Sequence, residues 1–225
     1  MAFEKGREKW TRIQQPIVDK MANVDPATLT WISVVFAGLC CWLLATAGRD
    51  ENGAWMLLGS LVMLAIAAVL DALDGAVART HNKVSKYGDW LDHTIDRVVD
   101  LSLLIAIGVN SAWIEIQWLG WAAATLTLLG SYMGTQSQSV GLGRNYGGFS
   151  RADRLVTTAI GIIFASLQVF FEWDDLTVPS VIADFTTIEA INGLTAILII
   201  SLLGGVWTFL IRATKARRAL LDGEE

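Results

Sequence analysis

The chain has 225 residues, 53% of them hydrophobic and 17% charged, with a formal net charge of −5. That acidic balance excludes a nucleic-acid partner, which would ask for a basic face. Apolar runs long enough to cross a bilayer, about 20 residues each, exclude a soluble domain, and backbone polar groups without partners in lipid require those runs to be helical.

The opening stretch, MAFEKGREKWTRIQQPIVDKM, is charged and lacks the apolar core and small-residue cleavage site of a secretory leader, so none is expected. Within it Phe3, Trp10, Ile13, Ile17 and Met21 recur at helical spacing among basic residues. This predicts a juxtamembrane amphipathic segment over residues 1–25, lying in the membrane interface and bent or interrupted at Pro16. A solvated tail is the alternative.

Six spans follow: Ala27–Ala47, Ala54–Arg79, Leu91–Val109, Leu119–Ser139, Arg151–Phe171 and Ile188–Ile211. The expected fold class is therefore an all-α integral membrane protein, with six transmembrane helices preceded by an N-terminal juxtamembrane amphipathic helix. Residues 26–225 make up its membrane domain. Short connections make consecutive helices antiparallel neighbours. The only cysteines, Cys40 and Cys41, are adjacent inside the first span, so they form neither a disulfide framework nor a metal cluster. Many of the ten tryptophans fall near span ends, as interfacial anchors do.

Orientation follows from the basic residues. Lys5, Arg7, Lys9, Arg12, Lys20, Arg79, Lys83, Lys86, Arg144, Arg151, Arg154, Arg212, Lys215, Arg217 and Arg218 fall on one side, fifteen of the seventeen Lys and Arg. The opposite loops hold Arg49 among acidic residues. By the positive-inside rule the expected location is the cell membrane, multi-pass, with both termini cytoplasmic.

One stretch stands apart. "DALDGAVARTHNKVSKYGDWLDHTID", residues 71–96, gathers Asp71, Asp74, Asp89, Asp92 and Asp96 at the cytoplasmic end of the second and third spans. Asp71 and Asp74 are three residues apart and Asp92 and Asp96 four, so each pair shares one face of its helix. Antiparallel neighbours bring the four carboxylates together. Such a group stays ionised only with compensation, and all-oxygen ligands favour Mg²⁺, Mn²⁺ or Ca²⁺ over zinc. Two ions bridged by shared carboxylates is an arrangement used in phosphoryl chemistry. Gly75 and Gly88 lie beside the acidic faces, where a bulky ligand can approach, and Arg79 offers a phosphate two parallel hydrogen bonds. The structural alternative is helix capping, or pairing of the aspartates with Arg79 and Arg97.

These residues fit D-x2-D-G-x2-A-R-x8-G-x3-D-x3-D in full, as Asp71, Asp74, Gly75, Ala78, Arg79, Gly88, Asp92 and Asp96. The pattern resembles the signature of the CDP-alcohol phosphotransferases (CDP-alcohol phosphatidyltransferases), possessed also of six spans with cytoplasmic termini. The resemblance implies a transferase of phospholipid synthesis that moves a phosphatidyl or archaetidyl group from a CDP-linked lipid to a small hydroxyl acceptor and releases CMP. It implies two divalent ions, Mg²⁺ or Mn²⁺, on Asp71, Asp74, Asp92 and Asp96, with Asp96 also the general base toward the acceptor hydroxyl. It puts Thr30, Asp71, Asp74, Gly75, Ala78, Arg79, Ser85 and Gly88 along the CDP-lipid. "PATLT", residues 26–30, resembles the family's P-N-x-x-T entry to the first span with Ala27 in place of Asn, and Asp89 falls on a variable, solvated position. A homodimer in the cytoplasmic membrane, in contact with membrane lipids, is the assembly the family implies.

The acceptor is read from residues 131–156, SYMGTQSQSVGLGRNYGGFSRADRLV. The region resembles the inositol-phosphate branch at Ser131, Arg151 and Arg154, while Gly134 and Gln136 replace two expected cations. The variant is also similar to archaeal members. Arg144, Arg151 and Arg154 either bind a phosphorylated acceptor, inositol phosphate or glycerol phosphate, or follow the positive-inside rule. Two rival readings are an intramembrane prenyltransferase, whose aspartate motif occurs twice, and a cation transporter, whose carboxylates lie mid-span.

Overall fold

In a computed structural model, residues 14–143, 145 and 147–222 are described. In chain order the elements are α1 (Pro26–Thr46), α2 (Glu51–Thr80), α3 (Lys86–Gly108), α4 (Trp118–Ser139), α5 (Arg151–Phe170), β1 (Leu176–Thr177), α6 (Ser180–Thr186), β2 (Ala190–Ile191) and α7 (Gly193–Asp222). Residues 14–19 are also helical. β1 and β2 pair antiparallel, Leu176 opposite Ile191 and Thr177 opposite Ala190. Among the described residues, four helices, α1, α2, α5 and α7, are long and apolar enough to cross a membrane. α3 and α4 have comparable length, but α3 carries Asp89, Asp92, Asp96, Arg97 and Asp100, and α4 ends in Gly-Thr-Gln-Ser-Gln-Ser.

Three helix starts lie at polar caps, which apolar periodicity does not register. Asp50 accepts from Gly53 N–H at 2.9 Å, so α2 begins at Glu51 rather than Ala54. Ser85 Oγ accepts from Gly88 N–H at 3.0 Å, which moves the start of α3 from Leu91 to Lys86. The expected span Ile188–Ile211 needs the largest correction. Ala190 and Ile191 belong to β2, Asn192 Oδ1 accepts from the backbone of Leu194 and Thr195 at 3.0 and 2.9 Å, and the helix runs from Gly193 to Asp222. In each case a side-chain acceptor satisfies an N–H group that the first turn leaves unpaired.

The chain forms two compact units. One takes the described residues of Met1–Leu39 together with Val62–Val99. Its core packs Val18 against Leu29 of α1 and Leu73, Ala76 and Val77 of α2, with Met21, Val24 and Leu70 alongside. Val18 is 1% exposed and Ile17 is 52% exposed, so Val18, rather than Ile17, packs inward. The helical residues 14–19 run through Pro16, and Phe3, Trp10 and Ile13 lie outside the described residues.

The other unit comprises Cys40–Leu61 and Asp100–Glu225. In it α7 packs on α4 and on α5. Gly161 and Gly193 allow the α5–α7 backbones to close: a Cβ on Gly161 would lie 2.8 Å from Gly193 O, and one on Gly193 2.4 Å from Gly161 O. Polar side chains tie its helix ends, with Asn110 Nδ2 donating to Leu44 O and Ala47 O, Asn192 Nδ2 to Trp113 O, and Arg49 gripping both oxygens of Asp175. Outward faces remain apolar, as at Trp31, Val35 and Trp42 on α1 and Ile160 and Ile163 on α5, which suits helices whose surroundings are lipid.

Candidate metal and nucleotide site

The acidic site is built wholly within the first unit. Near its end α2 presents Asp71 and Asp74, then stops at Thr80. Asn82 takes a positive φ of 54°, and Lys83 N–H returns to Ala78 O at 2.8 Å, closing the helix with a left-handed residue. Two residues on, Ser85 caps α3 and sends Asp92 and Asp96 back along the same end.

Carboxylate oxygens of Asp71, Asp74 and Asp92 lie within 4.8 Å of one another, and Asp92, His93 and Asp96 form a second such group. The two groups share Asp92, so all four expected carboxylates converge. Asp74 and Asp96 are buried, whereas Asp71 and Asp92 are partly open. Thr30 Oγ1 donates to Asp74 Oδ2 at 2.5 Å, which aims that carboxylate and brings the start of α1 into the site. Arg97 Nη2 lies 3.7 Å from Asp96 Oδ2. Asp89 is exposed and lies 3.7 Å from His93 Nε2. As a donor set, several carboxylates at this separation fit a hard divalent cation, whose preferred ligands are oxygens.

Beside the carboxylates opens a cleft of about 330 Å³, whose walls include Thr30, Asp74, Gly75, Ala78, Arg79, Ser85, Gly88 and Asp92. Every expected CDP-lipid residue except Asp71 borders this one space. Gly75 keeps room for the Arg79 side chain: a Cβ there would lie 3.0 Å from Nη1. Sequence reasoning passed over four further wall residues, Asp25, Lys83, Val84 and Tyr87. Asp25 carried a signal, because an Asp directly before Pro-Ala at a helix start is a cap, and its Oδ1 accepts from Ala27 N–H at 3.2 Å. Lys83 carried none, since a lysine in a polar turn is ordinary.

The expected acceptor residues lie in the second unit. Arg154 is buried and ion-pairs with buried Asp100, and Arg151 Nε lies 3.8 Å from the other oxygen of that carboxylate. Asp100 extends the four-residue spacing of Asp92 and Asp96, a signal present in the sequence and unused. Ser131 is half-buried on α4, and Arg144 lies outside the described residues. Three residues past Ser131, at Gly134, a Cβ would sit 3.2 Å from Arg212 Nη1. Arg212 donates to Gly130 O at 2.9 Å and to Gly147 O at 3.2 Å. A guanidinium from α7 thus stands beside Gly134, where α4 lacks an expected cation.

Residues 23–199 match the family model for CDP-alcohol phosphatidyltransferase. The chain is 29% identical over 199 residues to a phosphatidylinositol phosphate synthase of Cutibacterium acnes, covering 84% of this chain and 93% of that protein. It is 38% identical over 113 residues to an archaetidylinositol phosphate synthase of Pyrococcus horikoshii, covering 48% of this chain and 57% of the relative. The crystal structure of Mycobacterium tuberculosis phosphatidylinositol phosphate synthase with CDP-DAG bound superposes with a TM-score of 0.66 at 20% identity, over 91% of this chain and 94% of that one, a likeness of fold. With the whole aspartate signature drawn to one end of a helix pair and the match running through most of the spans, the prenyltransferase and transporter readings are set aside, and the chain belongs to the CDP-alcohol phosphatidyltransferase family, membrane transferases of substituted phosphate groups.

Proposed function

We propose that this transferase moves a phosphatidyl or archaetidyl group from a CDP-linked lipid to inositol phosphate and releases CMP. The observation that carries the donor half is the convergence of Asp71, Asp74 and Asp92 on a cleft bordered by Thr30, Gly75, Arg79, Ser85 and Gly88. In this reading Asp71, Asp74, Asp92 and Asp96 hold two Mg²⁺ or Mn²⁺ ions, which supply charge neutralisation for the diphosphate and for departing CMP. Thr30 keeps Asp74 oriented through its 2.5 Å hydrogen bond. Arg79 and the backbone at Gly75 receive the diphosphate, while Ala78, Ser85 and Gly88 face the nucleotide. Asp96 takes the proton from the acceptor hydroxyl, whose oxygen then attacks the lipid-side phosphorus.

The acceptor half rests on the named relatives and on basic residues of the second unit. Arg212 beside Gly134 offers a cation where α4 has none, and Ser131, Arg144, Arg151 and Arg154 complete the candidate set. The protein works as a multi-pass membrane homodimer with six transmembrane helices, an interfacial segment over residues 1–25, a membrane domain over 26–225, and both termini and the active site cytoplasmic. The test is an acceptor screen: purified protein, CDP-lipid and Mg²⁺ or Mn²⁺ with inositol phosphate, glycerol phosphate or serine, and lipid products identified by mass. Inositol phosphate is expected to release CMP fastest. Preferential turnover of glycerol phosphate or serine would move the acceptor assignment, and no CMP release with any acceptor would remove the donor half.

A further inference from the structure

Lys83 borders the cleft from the turn between α2 and α3. Lys83 follows the left-handed Asn82, and its Nζ donates to Ala22 O at 2.7 Å and to Val24 O at 2.8 Å, in the chain ahead of α1. Two residues earlier, His81 Nε2 lies 2.9 Å from Val18 O. The same turn is thus tied at three carbonyls to residues 18–24, which also pack Val18, Met21 and Val24 against α1 and α2. Immediately after them come Asp25, Pro26 and Ala27, and these line the cleft together with Lys83 and Ser85.

We propose that Lys83 is a positioning residue for the donor: its ammonium latches residues 22–24 to the α2–α3 turn and thereby holds the Asp25–Ala27 wall of the cleft. The inference rests on the reading of this cleft as the CDP site. The chemistry favours a lysine: an ammonium has three donors, two carbonyls accept from it here, and hydrogen bonds to a charged group are the stronger kind. A methionine of similar length keeps the packing and loses every donor. An arginine keeps charge and can reach two carbonyls at once.

The experiment compares full-length wild type, Lys83→Met, Lys83→Arg and Arg79→Ala in lipid–detergent micelles. It reads donor and acceptor KM, kcat, CMP affinity and the rate of tryptic cleavage after Lys20. Lys83→Met is expected to raise donor KM and weaken CMP binding roughly tenfold, the worth of about one charge-assisted hydrogen bond. Its acceptor KM and kcat should stay within about twofold of wild type, a split that marks lost ground-state binding. Cleavage after Lys20 should accelerate, and Lys83→Arg should recover most of the donor affinity. Unchanged donor KM in Lys83→Met, or equal losses in kcat and both KM values without rescue by Arg, overturns the latch. If Arg79→Ala loses CMP and Lys83→Met does not, only the latch fails; if Arg79→Ala binds CMP as wild type does, the cleft reading fails and the latch falls with it.

Discussion

Asp96 faces two demands that substitution separates. As a metal ligand it needs an oxygen, and as a base it needs to accept a proton. Asp96→Asn keeps one oxygen and the size, so CDP-lipid binding should persist while turnover falls by about 10²–10⁴-fold, the usual worth of a positioned base. Asp71→Asn weakens the ion site instead, and donor affinity should drop with it. CDP-lipid binding and single-turnover CMP release on both variants decide the matter: normal turnover in Asp96→Asn removes the base, and equal loss of donor binding makes Asp96 chiefly a ligand. Arg154 poses a different case. Its resemblance to the inositol-phosphate branch implied an acceptor clamp and its basic loop a topology signal, and the structure pairs it with Asp100, 4% exposed. Arg154→Ala should therefore destabilise the fold by about 3–5 kcal/mol, the cost of removing one partner of a buried ion pair. Thermal unfolding in detergent should show the loss, and adding Asp100→Asn should recover part of it. A stable Arg154→Ala with a raised acceptor KM would make acceptor binding, rather than the buried ion pair, its main role.

At the scale of elements, helix contacts in lipid depend on how closely backbones approach, because lipid is as apolar as the side chains it replaces. Gly161 illustrates the consequence. A Cβ there would meet Ile197 Cγ1 at 2.3 Å and the Gly193 carbonyl at 2.8 Å, so neither α5 nor α7 can yield by rotating a side chain alone. Gly161→Val should cost at least the ~1–3 kcal/mol typical of overpacking and lower the unfolding temperature. Gly38→Ala is the control, since nothing lies within 4 Å of its Cβ position and α1 gains helix propensity. Comparable melting of both variants would argue against a tight α5–α7 contact. The helix cores were legible from their apolar runs. The starts of α2, α3 and α7 were not, because Asp50, Ser85 and Asn192 begin those helices by accepting hydrogen bonds from backbone N–H groups, a property hydropathy does not carry.

For the molecule as a unit, the proposed catalysis through a carboxylate site predicts that activity is conditional on a hard cation. Excess chelator should abolish CMP release, Mg²⁺ or Mn²⁺ should restore it, and Zn²⁺ should not. Full activity in chelator would remove the metal from the reaction. Orientation is a second property of the whole chain. The fifteen Lys and Arg assigned to one side predict cytoplasmic termini and a cytoplasmic acidic cluster, with Arg49 and its partner Asp175 outside. Membrane-impermeant labelling of single cysteines at Ser85 and Thr187, in a background with Cys40 and Cys41 replaced, should reach only Thr187→Cys in sealed cells. Labelling of Ser85→Cys instead would invert the topology.

Apolar runs and helical spacing suffice to make the chain helical and membrane-bound and to bring four aspartates to one helix-pair end. Helical periodicity sets which residues share a face, and a short α2–α3 turn leaves antiparallel contact as the available arrangement, so Asp71, Asp74, Asp92 and Asp96 needed no further information. Only tertiary structure decided that Thr30 reaches Asp74 across 44 positions, that Lys83 reaches Ala22 across 61, that Arg154 answers Asp100 across 54, and that Arg212 stands beside Gly134. Those pairings depend on the rotation of each helix about its axis and on which neighbour it meets. Apolar helices with nearly uniform faces leave that choice open in sequence, and close packing of small residues and buried polar partners makes it.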